Sequence, residues 1–103
     1  MPFTPYWVGP TFDGIELEAT VPDCSKRPHI TYVYGTCHAT SDSGCAPPLE
    51  VQTWLARHRK LAPGSTGGDV ELRRGRLKVA IFADSRLARR AAHALRKAPA
   101  SAP

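Results

Sequence analysis

Cys37 and Cys45 are the residues best placed to do chemistry, because one stands at each mouth of a short polar loop. The runs Ile30-Thr31-Tyr32-Val33-Tyr34 and Leu49-Glu50-Val51-Gln52-Thr53 flank that loop and read as strands. If those strands are neighbours, the two thiols fall within disulfide reach. A bridge across so short a loop adds on the order of 2–3 kcal/mol on the chain-entropy account. Two free thiols are the alternative. Cys24 is left over, either packed as a small hydrophobe or free.

Other constellations are weaker. Cys24, His29, Cys37, His38 and Cys45 include enough ligands for tetrahedral zinc, but no Cys-x-x-Cys or His-x3–5-His pair holds two of them locally. Gly64-Ser65-Thr66-Gly67-Gly68 lacks the Lys-Ser/Thr of a phosphate loop and precedes a strand rather than a helix, so it reads as a connection. His29, His38, His58 and His93 sit in polar or basic surroundings, with no nucleophile elbow or Cys-His catalytic signature. The expectation is a non-enzymatic protein without catalytic residues, cofactor or metal.

Charge is the next signal. Residues 1–50 carry two basic and six acidic side chains, −4; residues 51–103 carry twelve and three, +9. A solvated dipolar surface accounts for this, and so does a face for an anionic partner. The candidate anion-binding residues are Arg57, Arg59 and Lys60, then Arg86, Arg89, Arg90, Arg96 and Lys97 on the last helical segment. Nucleic acid is therefore a possible partner. Against it, the aromatics cluster in the other half of the chain, and no helix-turn-helix or RNA-binding signature appears.

A chain of 103 residues makes one domain with a modest core, expected over residues 1–98, followed by a disordered tail at 99–103. No apolar run approaches the roughly 20 residues of a membrane span. The start Met1-Pro2-Phe3-Thr4-Pro5 has no signal-peptide pattern. That favours a cytoplasmic location, whereas an oxidised Cys37–Cys45 pair favours an extracytoplasmic one.

These groups need elements to hold them. Ile15, Leu17, Ala19 and Val21 alternate with polar residues after the Asp13-Gly14 turn, giving a strand that Pro22 ends. Residues 56–69 form a connection. A hairpin follows, with Leu72 expected opposite Leu77 and Glu71 opposite Lys78 around a turn at Arg73-Arg74-Gly75-Arg76. Asp84 or Ser85 caps a helix over residues 85–98, whose apolar stripe is Leu87, Ala91, Leu95 and Ala98. The expected fold is α+β: an antiparallel sheet of about five strands with the C-terminal helix packed on one face. Tyr32, Trp54 and Ile81 are expected in its single core.

The chain resembles a family of small bacterial proteins of actinobacterial type. The resemblance is carried by Trp7-Val8-Gly9-Pro10-Thr11-Phe12-Asp13-Gly14, by Tyr34-Gly35-Thr36-Cys37, by Gly44-Cys45-Ala46-Pro47-Pro48-Leu49-Glu50-Val51-Gln52 with Trp54, and by a strand–helix unit from Val79 to Leu95. The central motif is the specific part. The resemblance implies a small domain of unknown function and supplies no catalytic residues. Members often carry a further cysteine just after the Trp. Here Leu55-Ala56-Arg57-His58 stands in its place, which counts against a second disulfide through Cys24. The functional expectation is a protein- or ligand-binding module stapled by Cys37–Cys45. The alternative is a nucleic-acid-associated protein that uses the basic half.

Overall fold

The structure is a computed structural model that describes residues 3–36, 47–56 and 70–99. The expected 99–103 tail lies outside them from residue 100 onward. The element order is β1 (Tyr6–Trp7), β2 (Thr11–Phe12), β3 (Ile15–Asp23), β4 (His29–Tyr34), β5 (Leu49–Leu55), β6 (Val70–Arg74), β7 (Leu77–Phe82), α1 (Ser85–Ala94) and β8 (Arg96–Lys97). Strands β2 to β7 form one antiparallel sheet in the order β2-β3-β4-β5-β7-β6, and β1 pairs with β8 as a separate ribbon. The architecture is thus mostly antiparallel sheet with one C-terminal helix, but with more strands than the five expected.

Side-chain alternation decides which residues meet. Tyr32 lies opposite Val51, and Val51 opposite Ile81, so these three share a face. That face carries the core: Tyr34, Leu49, Val51, Val79 and Ile81 have no exposed surface. Helix α1 and the β1–β8 ribbon cover it, contributing Leu87, Ala88 and Ala91 from the helix and Trp7, Val8 and Ala98 from the ribbon and its flanks. The Trp7 ring meets the Tyr32 ring at 5.8 Å between centroids, tilted by 54°.

Trp54 departs from expectation. It is 3% exposed, but it lies an odd number of residues from Val51 and therefore points to the opposite side of β5, outside the core of Tyr32 and Ile81. Gln52 shares that side and is 6% exposed, so β5 is buried on both faces, as a central strand often is. The Gln52 side-chain amide donates to Thr31 Oγ1 at 3.3 Å. Gln52 Oε1 and Trp54 Nε1 have no hydrogen-bond partner among the described residues.

Strand β3 departs in two ways. A bulge between Leu17 and Ala19 shifts the register, so Ile15 and Leu17 pack on the core while Val21 is 52% exposed. The strand also runs through Pro22 to Asp23. Beyond the bulge β3 is an edge among the described residues, where a missing N–H is tolerated.

The β6–β7 hairpin forms, with its register two residues away from the one expected. Leu72 faces Val79, Glu71 faces Ala80 and Arg74 faces Leu77, which leaves Gly75-Arg76 as a two-residue turn. A slip of two keeps each side chain on its face, so alternation alone does not separate the registers. Gly75 at φ +62° in the first central position suits the tight type II′ turn, which matches the strand twist better than a wider loop.

The helix is capped by Asp84, whose Oδ1 accepts from the backbone N–H of Arg86 at 3.1 Å and of Leu87 at 3.0 Å. It ends at Ala94, well short of residue 98. Leu95 is extended (φ −60°, ψ 135°), and the chain returns as β8 to pair with β1. Ala98 continues the ladder by donating its N–H to Pro5 O at 2.9 Å. Pairing satisfies backbone groups of β1 that further helix would leave open, and Pro99 disfavours helical geometry at Ala98. Leu87 and Ala91 face the core as expected, Leu95 is half-buried, and Ala98 is buried from the ribbon rather than the helix. Among the described residues no helix is long and apolar enough to cross a membrane.

Candidate anion-binding groove

The ribbon and the hairpin tip meet at one corner of the domain. Tyr6 lies opposite Lys97 and Trp7 opposite Arg96 in the β1–β8 ladder. The ribbon is tied to the large sheet at two points. Tyr6 N–H donates to Thr53 Oγ1 at 3.1 Å. The Tyr34 hydroxyl accepts from Val8 N–H at 3.2 Å and donates to Gly9 O at 2.7 Å. All three bonds join residues far apart in sequence, so they fix where the short β1 sits.

Between ribbon and hairpin runs an open groove of about 340 Å³, lined chiefly by Phe3, Tyr6, Arg74, Arg76, Leu77 and Lys97. Among the described residues three cations line it and no carboxylate does. The turn that carries two of them is braced from within: Arg73 Nε donates to Gly75 O at 2.8 Å, and Arg74 Nη1 donates to Arg73 O at 3.0 Å. The floor is apolar, because Phe3 and Leu77 are both more than nine-tenths buried. Arg74, Arg76 and Lys97 are themselves exposed, and the apolar floor beneath them strengthens their field for an anion.

The expected anion-binding residues fall in several places. Arg86, Arg89 and Arg90 are exposed on α1. Arg90 is already engaged by the exposed carboxylate of Asp13. Arg96 and Lys97 belong to β8 rather than to the helix, and only Lys97 lines the groove. Arg57, Arg59 and Lys60 lie outside the described residues, as do Cys37 and Cys45 of the expected disulfide. Of the zinc candidates, Cys24 is an exposed free thiol, and His29 faces Asp23 at 3.8 Å. Hydrogen bonds from Ser25 hold the Asp23 carboxyl below its usual range. Burial pushes the Glu50 carboxyl up.

Arg74, Arg76, Phe3 and Tyr6 were missed as site residues. A signal was available for two of them: Arg73-Arg74-Gly75-Arg76 puts three arginines into one turn. The aromatics gave none, since Tyr6 and Lys97 stand at opposite ends of the chain. Their pairing also removes the separation of aromatic from basic residues that counted against a nucleic-acid partner.

No protein-family model, curated protein or solved structure matches this chain.

Proposed function

We propose that this chain is a non-enzymatic binding module and that the corner groove takes an anionic ligand. The observation that supports this most directly is the convergence of Arg74, Arg76 and Lys97 on an apolar-floored groove with no carboxylate among its described lining residues. Charge-assisted hydrogen bonds from such groups are stronger than neutral ones, and the guanidinium fork suits phosphate or carboxylate oxygens.

Short-chain inorganic polyphosphate, titrated by calorimetry at about 50 mM salt, tests the site. The unmodified protein should bind it, with affinity falling as salt rises. The double change Arg76→Gln/Lys97→Gln should weaken binding about tenfold or more, because it removes two solvent-screened charges worth up to about 1 kcal/mol each. Arg86→Gln/Arg89→Gln should stay within about twofold. The helix starts beyond Phe82, at the end of β7 remote from the hairpin tip, and neither arginine lines the groove. No binding by the unmodified protein, or equal losses in the two variants, would exclude the groove as the site.

The Cys37–Cys45 staple belongs to the same proposal, as the closure of the loop between β4 and β5. Intact mass under non-denaturing conditions should rise by two hydrogen atoms on reduction. An unchanged mass would show that the thiols were free.

A further inference from the structure

We infer that the ligand class of this groove is single-stranded nucleic acid, held through its phosphates by Arg74, Arg76 and Lys97 and through one base against Tyr6. This rests on the groove being the anion site and adds the base. The added observation is the register of the ribbon, which sets an aromatic side chain directly beside a groove cation. Tyr6 is half-buried, and its backbone is tethered to Thr53. Its side chain packs against the core and also lines the groove, so packing restrains the ring beside the cations. A positively charged groove beside an aromatic platform is the general means of holding single strands, because phosphates meet the cations and any base offers a flat face to stack. Phosphate alone would be served by the three cations and would need no aromatic wall.

The shape points the same way. The groove's volume stands near the lower end of the range for small-ligand pockets, enough for one base turned out of a stack. A duplex presents its bases edge-on within grooves and is read by elements that project into them. Here the cations surround a concavity. An acidic peptide would meet the cations equally well but would leave Tyr6 without a stacking partner.

The test compares a short oligothymidylate with an abasic oligomer of the same length, which carries the same phosphates and no bases. Fluorescence anisotropy at about 50 mM salt is the readout. The unmodified protein should bind the thymidylate about tenfold or more tightly than the abasic oligomer, the scale of one stacked base. Tyr6→Leu keeps apolar bulk but has no aromatic face. It should erase that difference and leave polyphosphate affinity within about twofold. If the abasic oligomer binds as tightly as the thymidylate to the unmodified protein, the base contact is overturned while the anion site stands. If polyphosphate does not bind either, both fall. Duplex DNA or polyglutamate binding as tightly as the thymidylate would also overturn the inference. Should Tyr6→Leu lose its thermal unfolding transition, the abasic comparison on the unmodified protein still decides.

Discussion

Gly35→Ala is expected to lower stability by about 2–5 kcal/mol, the sum of a left-handed backbone penalty and an overpacking penalty. Gly35 has φ +83°, and its N–H donates to Glu16 O at 2.8 Å, so the chain cannot relax there without losing a bond to β3. An added Cβ would stand 2.5 Å from Pro48 Cγ, 2.8 Å from Pro48 Cδ and 3.0 Å from Ile15 Cγ2. A pyrrolidine ring can change only its pucker, which shifts Cγ but little of Cδ, and the next residue, Leu49, is fully buried. For a domain of this size the loss amounts to roughly 10–20 °C in Tm. Gly75→Ala is the control. Its φ is +62°, but nothing lies within 4 Å of the added Cβ, so only the backbone penalty of about 1–2 kcal/mol applies. Thermal unfolding of both variants separates the terms. Equal losses would show that the contact with Pro48 is not a constraint.

Tyr34→Phe should cost about 2–6 kcal/mol although it removes a single oxygen. That hydroxyl serves two buried backbone groups at once, Val8 N–H and Gly9 O, and leaving each unpaired costs about 1–3 kcal/mol. Urea unfolding at neutral pH should show a lower midpoint with an unchanged m-value. The alkaline limb gives a second signature. Burial pushes the Tyr34 phenol up to about 12 from its ordinary 10, an effect that the Val8 hydrogen bond and the charge of Arg96 only partly offset. The unfolded chain therefore releases this proton before the folded one does. The hydroxyl's stabilisation is fully present below pH 10 and is lost as pH rises through about 12. Burial raises the Tyr32 phenol as well, and its charge adds to the rise at Tyr34, so the narrowing reports the two phenols together. The stability gap between the unmodified protein and Tyr34→Phe should narrow across that alkaline window. A constant gap would mean that the hydroxyl does not titrate as a buried group.

These residues also give physical content to the motif segments. Trp7-Val8-Gly9 and Tyr34-Gly35 are distant in the chain, yet one hydroxyl bridges Val8 and Gly9, and the neighbouring glycine lets the chain pass under Pro48. The Tyr34 hydroxyl thus serves to fasten the ribbon. The ribbon in turn sets Tyr6 against Lys97.

Much of the fold was legible. The β-branched and aromatic run at β4, the apolar β7, the Asp84 cap and the apolar helix face each follow from local preferences that tertiary contacts reinforce. The departures share a cause. β1 and β8 are two-residue strands, too short for any period, and they form only because each satisfies the other's backbone. The bulge after Leu17 moved Val21 to solvent in a segment whose alternation reads perfectly well without it. Trp54 is buried on the far side of β5 because a side chain's face depends on where the strand lies in the sheet, while its type states only that it avoids water.

By itself, the amino-acid order determined which segments extend, where the helix starts, which residues avoid water and that the second half is basic. Those properties are set over a few neighbouring residues by sterics, capping and charge. The tertiary structure alone decided the hairpin register, the end of the helix and the meeting of Tyr6 with Lys97, Arg74 and Arg76. The hairpin register was open because its strand periods match in several alignments, and the helix end and the meeting at Tyr6 rest on two-residue strands that carry no period, so only pairing in the folded domain selects them.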